Sequence, residues 1–201
     1  MSHLHTDCFH GEAIRPILDA LAALRIQVFA EWPYLYAGTA EYEKSYLQPY
    51  VHSHGSIVVL ARDGDTPVGA STALPMAEAP AEMRQPFVAA GEDIRSLYYF
   101  GESVVLPPYR GQGLGRSFFA AREERARSLG YAECVFCAVE RPEGHPLKPK
   151  GHKGNAEFWA HRGYVRDPRR ACVFRWTDQG QAEDSPKTLV YWRRKLPPTG
   201  H

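Results

Sequence analysis

The spacing of apolar residues changes along the chain between helical and strand-like, and each change predicts an element. In 12–31 apolar residues recur every three or four positions and predict a helix, which Pro33 ends. A second short helix is predicted at 39–51. Two apolar runs, 56–61 and 67–74, flank a strong turn signal and therefore predict a β-hairpin.

The second half of the chain continues this alternation. The pattern at 114–129 predicts a helix with Phe118, Ala121 and Arg125 on one stripe, and Gly130 is a natural C-cap. The proline-rich segment 141–154 is predicted to be irregular. No repeat or linker interrupts the pattern, so we expect one domain, 1–201, with a mixed α/β sheet. The remaining elements are a short helix within 75–91, strands at 97–106 and 131–139, a helix at 155–161, and strands at 171–176 and 188–192.

Composition narrows the class of protein. The 201 residues carry a formal net charge of +1, which argues against a global basic surface for nucleic acid. No apolar run approaches the roughly 20 residues that a membrane span needs. Residues 1–10 contain three histidines and no apolar signal-peptide core, and we expect them to be a mobile terminus. The predicted location is the cytoplasm.

Four cysteines show no spacing typical of a disulfide framework. Cys134 and Cys137 form a C-x-x-C sequence inside the predicted strand 131–139, where side chains three apart point to opposite faces. One metal ion cannot easily bind both thiols, so we predict reduced, buried cysteines and no metal site.

The most informative segment is Arg110-Gly111-Gln112-Gly113-Leu114-Gly115, between a predicted strand and a predicted helix. Glycines let backbone approach a ligand closely, and a helix N-terminus attracts anions, so this turn is a candidate phosphate site. It lacks the Lys-Ser/Thr of a Walker loop. The dinucleotide pattern fails as well, because its last position falls on Arg116.

The pattern that fits is [RQ]-x-x-G-x-[GA], which resembles the acetyl-CoA pyrophosphate loop of the GNAT N-acetyltransferase superfamily. The element order resembles the same fold from end to end. The resemblance implies a single-domain α/β acyl-CoA N-acyltransferase fold, in which helices flank a mixed, mostly antiparallel sheet with a splayed strand pair. A bacterial subgroup of unassigned substrate is also similar, through segments 33–36, 100–105, 136–139 and 191–192.

The resemblance implies how acetyl-CoA would be held. Pantetheine would pair with backbone at Val104 and Val105, and the pyrophosphate would bind N–H groups from Arg110 to Gly115. Arg110 and Arg116 would add positive charge. Residues 155–164 resemble a later segment of the family, which adds Asn155 and Trp159 to the expected cofactor contacts. Contacts to the cofactor are therefore expected from Val104, Val105, Arg110, Gly111, Gln112, Gly113, Leu114, Gly115, Arg116, Asn155 and Trp159.

Trp159 occupies a position where many relatives carry a tyrosine that protonates the departing thiolate. An indole N–H is far too weak an acid to give up its proton. Tyr164, Tyr131, Cys137 and water remain open as the proton source.

Acetyl transfer needs a neutral amine, and Glu102 is the predicted catalytic base. The commoner acidic position of the family lies about three residues earlier, at Tyr99 in this chain. Strand alternation therefore places Glu102 on the acceptor face only if a β-bulge intervenes. A backbone N–H near Val105 is the expected oxyanion donor.

The acceptor is predicted to meet Trp32, Tyr34 and Tyr36, because aromatic faces next to carboxylates suit a cationic amine. The favoured function is transfer of acetyl from acetyl-CoA to the primary amine of a small molecule. Alternatives are a non-catalytic acyl-CoA sensor or scaffold, a protein-lysine or N-terminal acetyltransferase, and a binder of another nucleotide. Dimers are common among such folds, so a homodimer is also considered.

Overall fold

The computed structural model describes residues 3–197 and contains one seven-stranded sheet in the order β1-β2-β3-β4-β5-β7-β6. Neighbouring strands are antiparallel except β4 and β5, which are parallel. The strands are β1 Leu4–Phe9, β2 Ile57–Asp63, β3 Thr66–Pro75, β4 Leu97–Val105, β5 Glu133–Val139, β6 Val165–Thr177 and β7 Asp184–Lys195. The helices are α1 Leu18–Phe29, α2 Ala40–His52, α3 Ala81–Val88, α4 Leu114–Ser128 and α5 Ala156–His161. In the described residues no helix is long and apolar enough to cross a membrane.

The sheet separates two hydrophobic cores, because strand side chains alternate between its faces. One core contains Leu21 of α1, Leu47 of α2 and Phe87 of α3. The other contains Phe118 of α4, with Phe158 of α5 packed against it. We call these the acceptor face and the loop face of the sheet. The mixed, mostly antiparallel sheet with flanking helices confirms the predicted fold class.

The first strand corrects the expectation of a mobile terminus. Leu4 to Phe9 pair in antiparallel register with Asp63 to Val58 of β2. This strand lies at an edge of the sheet and most of its side chains are exposed or half-buried. Its apolar pattern is therefore weak, and backbone pairing to β2 decides its structure.

Helix α4 has the predicted bounds but a different buried stripe. Phe118, Arg122 and Ala126 are buried, whereas Leu129 is 39% exposed. Ala121 is half-buried and packs against the same core as Phe118, as predicted, whereas Arg125 is only half-buried and Arg122 takes the fully buried position beside Phe118. Arg122 is buried because hydrogen bonds and aromatic rings replace its hydration.

Strands β4 and β5 pair only at their first residues. The ladder joins Leu97–Tyr99 to Glu133–Val135 and goes no further. Beyond it, β4 remains paired with β3 as far as Val105, and β5 remains paired with β7 as far as Val139. The two strands therefore diverge and leave a gap through the sheet, which confirms the predicted splayed pair.

A β-bulge on β4 faces this gap. Ser71 pairs with Ser103 and Ala73 with Phe100, so Thr72 lies opposite two residues, Gly101 and Glu102. The extra residue reverses the alternation along β4, as bulges do. Tyr99 and Val104, an odd number of residues apart, consequently belong to the same core on the acceptor face.

Arg122 of α4 holds the bulge in place. Its Nη1 donates to the carbonyl oxygens of Thr72 at 3.3 Å and of Glu102 at 3.2 Å, and its Nη2 donates to Ser103 Oγ at 2.8 Å. The guanidinium also lies 4.3 Å from the ring centroid of Phe100. Burial lowers the pKa of Arg122 to about 10, so it remains charged at neutral pH.

We predict that Arg122→Met lowers the free energy of unfolding by about 3 kcal/mol, because it leaves buried acceptors on the bulge without a donor. Urea denaturation at pH 7 measures this loss. Arg127→Met on the same helix is the control. It removes a pair with exposed Glu124 and a 3.8 Å contact with Glu123, which keeps its pairs with Arg162 and Arg194, and should cost less than about 1 kcal/mol. Equal losses in the two variants would contradict the role of Arg122.

Candidate active site

A cavity of about 90 Å³ lies on the acceptor face, beside the gap between β4 and β5. Gly101 and Glu102 of the bulge border it on one side, and Cys137 of β5 on the other. Its mouth lies at Tyr42 and Arg175, which are exposed. The remaining lining residues are Arg25, Phe29, Tyr34, Tyr36, Tyr46, Met83, Tyr99, Phe174, Trp176 and Leu189.

Glu102 belongs to a buried cluster of three charged side chains. Arg25 of α1 contacts Glu43 of α2 through Nε, and its Nη1 lies 2.5 Å from Glu102 Oε2. The three side chains are at most 8% exposed. One guanidinium therefore faces two carboxylates, and we refer to Arg25, Glu43 and Glu102 as the charge cluster.

Burial is the largest single influence on the pKa values of Glu102 and Arg25. It raises the pKa of Glu102 above its ordinary range, and the charge of Glu43 acts in the same direction while Arg25 opposes it. For Arg25 burial acts to lower the pKa, but the nearby carboxylates outweigh it and the pKa is raised. A carboxyl group whose pKa is shifted toward neutrality is suited to accept a proton from an amine.

The carboxylates are incompletely satisfied. Within residues 3–197, neither oxygen of Glu102 has a hydrogen-bond partner of good geometry, despite the ion pair with Arg25. Glu43 Oε1 is also buried without a partner there. The nearby Tyr36 hydroxyl has a raised pKa, because it is partly buried and close to the Glu43 carboxylate. The cluster thus presents unused acceptor atoms next to the cavity.

The predicted acceptor residues divide between the cavity and its surroundings. Tyr34 and Tyr36 line the cavity. Trp32 belongs to the same loop, but its ring packs 5.0 Å from His145 and 6.2 Å from His152 and is not part of the lining.

Arg141 fixes this aromatic loop to the end of β6. Its Nε donates to the carbonyl of Pro33 at 2.8 Å, and its two terminal nitrogens each lie 2.8 Å from an oxygen of Asp178. Trp176 donates from Nε1 to the carbonyl of Tyr34 at 3.0 Å. These bonds place two aromatic walls, one from the loop and one from β6, on the same cavity.

The sequence reasoning missed Arg25, Glu43 and Trp176. A signal existed for the two charged residues. Arg25 lies between Leu21 and Phe29 at helical spacing, and Glu43 lies four residues before the buried Leu47. A charged side chain on an apolar stripe indicates a buried, paired group. Trp176 carried no such signal, because its place depends on where β6 ends.

The glycine loop, residues 110–115, lies on the loop face of the sheet, opposite the cavity. Gly111 and Gly113 have φ angles of 76° and 89°, a region that favours glycine. Gly113 is the N-cap of α4, whose first N–H groups have no partner inside the helix. A Cβ added to Gly115 would lie 3.3 Å from the Phe158 ring. The loop therefore presents a helix N-terminus with little side-chain cover.

The two arginines near this loop differ in position. Arg110 donates to the carbonyl of Val105 at 2.9 Å and to Glu31 at 2.8 Å, which ties the loop to the segment after α1. Arg116 borders a surface depression next to the first turn of α4. The other residues around that depression are Leu4, His5, Thr6, Gln112, Gly113, Leu114 and Ser117.

The other predicted cofactor residues flank the gap. Val104 and Val105 form the end of β4, past the last pairing with β5. Asn155 is the exposed N-cap of α5. Trp159 packs 5.0 Å from Phe136 and 5.2 Å from Trp192 on the loop face. The gap therefore has the loop and α5 on one side and the charge cluster on the other.

The model of the acetyltransferase (GNAT) family matches residues 24–147, which is more than half of the chain. The chain belongs to the GNAT family. This match includes the charge cluster, the bulge, the glycine loop and β5. No protein of curated function matches the chain at a significant level.

Solved structures show the same fold at low sequence identity. A ribosomal-protein-alanine N-acetyltransferase from Brucella melitensis is 18% identical with a TM-score of 0.60, over 94% of this chain and 99% of that one. The yncA protein of Salmonella typhimurium, solved with its cofactor acetyl-CoA, is 11% identical with a TM-score of 0.59, over 100% of this chain and 98% of that one. The PaiA N-acetyltransferase of Thermoplasma acidophilum, in complex with coenzyme A, is 13% identical with a TM-score of 0.56, over 96% and 99%.

We predict that Arg25→Met destabilises this GNAT protein by about 3–5 kcal/mol at pH 7, because two buried carboxylates lose their cation. The folded-state pKa of Glu102, already raised by burial, then rises further above its unfolded value. The loss relative to wild type should accordingly be small at pH 4 and grow as pH rises. Urea denaturation across this range measures it. Arg15→Met, which breaks an exposed pair with Glu12, should show no such pH dependence. A loss independent of pH would contradict the charge cluster.

Proposed function

We propose that the protein transfers acetyl from acetyl-CoA to the primary amine of a small molecule, with Glu102 as the base. The observation that carries the proposal is the position of Glu102 at the gap. Its buried carboxylate pairs with Arg25 through Oε2, has no hydrogen-bond partner for Oε1 among the described residues, and lines an aromatic cavity. Family membership supports acyl transfer, and the small volume of the cavity, about 90 Å³, favours a small amine over a protein lysine.

The residues around the gap are suited to hold the cofactor. Backbone groups of Val104 and Val105 on the edge of β4 facing β5 are left without a strand partner, so they can pair with pantetheine. The N–H groups from Gly111 to Gly115 suit the pyrophosphate, because the α4 dipole favours an anion there. Arg116 adds positive charge at the surface depression beside α4. Arg110 can add a second positive charge if its ion pair with Glu31 breaks. Asn155 and Trp159 border the cofactor from α5.

Bound acetyl-CoA supplies the acetyl group as an activated thioester. Glu102 accepts the proton that the ammonium form of the acceptor must lose, which leaves a neutral nitrogen able to attack. Arg25 keeps Glu102 available as a carboxylate despite its burial. A backbone N–H near Val105 is the proposed donor to the oxygen that gains charge.

Solvent is the best-supported proton source for the departing sulfur. The Tyr164 hydroxyl is buried and donates to Glu123 at 3.2 Å, on the loop face. Cys137 borders the cavity, but a hydrogen bond with Cys172 and, next, burial raise its pKa well above the ordinary value. Trp159 offers only an indole N–H. A thiolate leaves readily enough that water can protonate it.

Calorimetric titration of the purified protein with acetyl-CoA, next to ATP and NAD, tests the cofactor assignment. Micromolar binding of acetyl-CoA alone is the expected result. A screen of amines by thiol release then tests turnover. Absence of acetyl-CoA binding would overturn the proposed function, and binding without turnover on any amine would favour the sensor alternative.

We predict that Gly113→Glu weakens acetyl-CoA binding at least 100-fold, because it places bulk and negative charge at the pyrophosphate site. Calorimetry measures the change. The matched control is Gly130→Glu at the other end of α4, where φ is 82° and a Cβ meets nothing within 4 Å. It carries the same charge and a comparable backbone strain. Equal affinity of the two variants would remove the loop from the cofactor site.

We predict that Glu102→Gln lowers kcat at least 100-fold with little change in acetyl-CoA affinity. In the wild type, protonation of Glu102 should produce an acidic limb in kcat/KM above the ordinary pKa range of glutamate, because its pKa is raised. This limb should be absent in the variant. Glu124→Gln, on the exposed face of α4, serves as the control. A wild-type rate across pH in Glu102→Gln would exclude Glu102 as the base.

A further inference from the structure

We infer that the acceptor is an arylalkylamine with a single positive charge and no carboxylate, and that Glu43 selects this charge. The inference rests on the proposed function and specifies the substrate class of the same cavity. It follows from the charge balance of the cluster, from its unused acceptor atoms and from the walls of the cavity.

The charge cluster contains two carboxylates and only one guanidinium. Arg25 is the only cation paired with the carboxylates of Glu43 and Glu102 among residues 3–197. The other buried cation near Glu102, Arg122, is engaged by the backbone carbonyls of Thr72 and Glu102 and by Ser103 Oγ. Lys187 and Arg141 are both engaged by Asp178 next to Trp176, and neither is among the lining residues of the cavity. With both carboxylates ionised, the cluster carries a net charge of –1 in a buried setting. A bound ammonium group neutralises it, and a neutral ligand does not.

Glu102 lines the cavity and can contact such a group directly, whereas Glu43 is fully buried outside the lining and acts through its charge in the cluster. Glu43 Oε1 and Glu102 Oε1 are buried and have no hydrogen-bond partner in the part of the chain that the structure describes. Tyr50 Oη is in the same condition and lies close to Gly101. An ammonium group has three donors, so it can satisfy acceptors that are otherwise buried without a partner.

The cavity walls favour an aromatic body. Phe29 and Tyr46 are already engaged by Arg25, whose guanidinium lies 5.0 and 4.4 Å from their ring centroids. Tyr34, Tyr36 and Trp176 also line the cavity, and Trp176 is itself contacted by Lys187 and Arg141, whose charged groups lie 5.1 and 5.9 Å from its ring centroid. Apolar and sulfur groups of Met83, Tyr99 and Cys137 add to the lining. Flat rings pack well against such surfaces.

The same surroundings disfavour a carboxylate on the acceptor. Apart from Arg25, the cation among the described lining residues is Arg175. It lies exposed at the mouth, where it donates to the carbonyl of Asp184 at 3.0 Å. A carboxylate next to the amine, as in an amino acid, would instead meet Glu43 and Glu102. Like charges in a buried site repel strongly.

Calorimetry with three probes of similar shape tests the inference without turnover. 2-Phenylethylamine, 2-phenylethanol and L-phenylalanine are each titrated into the protein, alone and saturated with CoA. We expect the amine to bind at least tenfold more tightly than the alcohol and the amino acid. Equal affinity for the amine and the alcohol, or tighter binding of the amino acid, would overturn the inference.

The variant Glu43→Gln tests whether Glu43 is responsible for the preference for a charged amine. It should reduce the affinity for 2-phenylethylamine at least tenfold, leave 2-phenylethanol unchanged and leave acetyl-CoA affinity unchanged, which also verifies folding. Glu41→Gln is the control, because Glu41 is exposed on the same helix. An unchanged preference for the amine in folded Glu43→Gln would overturn the role of Glu43. If this variant does not fold, the comparison of the three probes on the wild type still decides the substrate class.

Thiol release separates this inference from the proposed function. Selective binding of the amine without CoA release from acetyl-CoA would refute the acetyltransferase and leave the binding preference established. CoA release with L-phenylalanine but not with 2-phenylethylamine would support the acetyltransferase and refute the substrate class.

Discussion

The β-bulge at Gly101 and Glu102 is the constraint on which the candidate site depends. Without the additional residue opposite Thr72, strand alternation would turn Glu102 toward the loop face. Gly101 is required there, because a Cβ would lie 2.2 Å from Tyr50 Oη. Arg122 bonds the bulge from α4, the helix that begins at the glycine loop. The loop and the proposed base are thus connected through one helix.

Buried charge is a second theme of the structure: Arg25, Glu43 and Arg122 lie on apolar helical stripes, and Glu102 lies on β4. Arg122 is compensated by carbonyl and hydroxyl acceptors on the bulge. Arg25 is shared between Glu43 and Glu102, so the acceptor face keeps an excess negative charge. Buried charges without full compensation are costly for stability, and sites of this kind are typical of binding and catalysis.

The gap between β4 and β5 joins the two halves of the site. It exists because the strands pair over three residues and then follow different neighbours, β3 and β7. The proposed cofactor residues lie on the loop face and the aromatic cavity on the acceptor face. This arrangement lets an acceptor and a cofactor approach one reacting centre from opposite sides of the sheet.

The sequence by itself determined the order of most elements, the glycine loop and the family resemblance, because these depend on local spacing and on a short backbone motif. It also indicated that Glu102 can lie on the acceptor face of the sheet only if β4 contains a bulge. Only the tertiary structure decided that the bulge exists, that β1 completes the sheet edge, that Arg25 joins Glu43 to Glu102 and that Trp176 lines the same cavity. These features arise from strand register and from contacts between residues as distant as Tyr34 and Trp176. Hydrophobic periodicity carries no information about such long-range pairing.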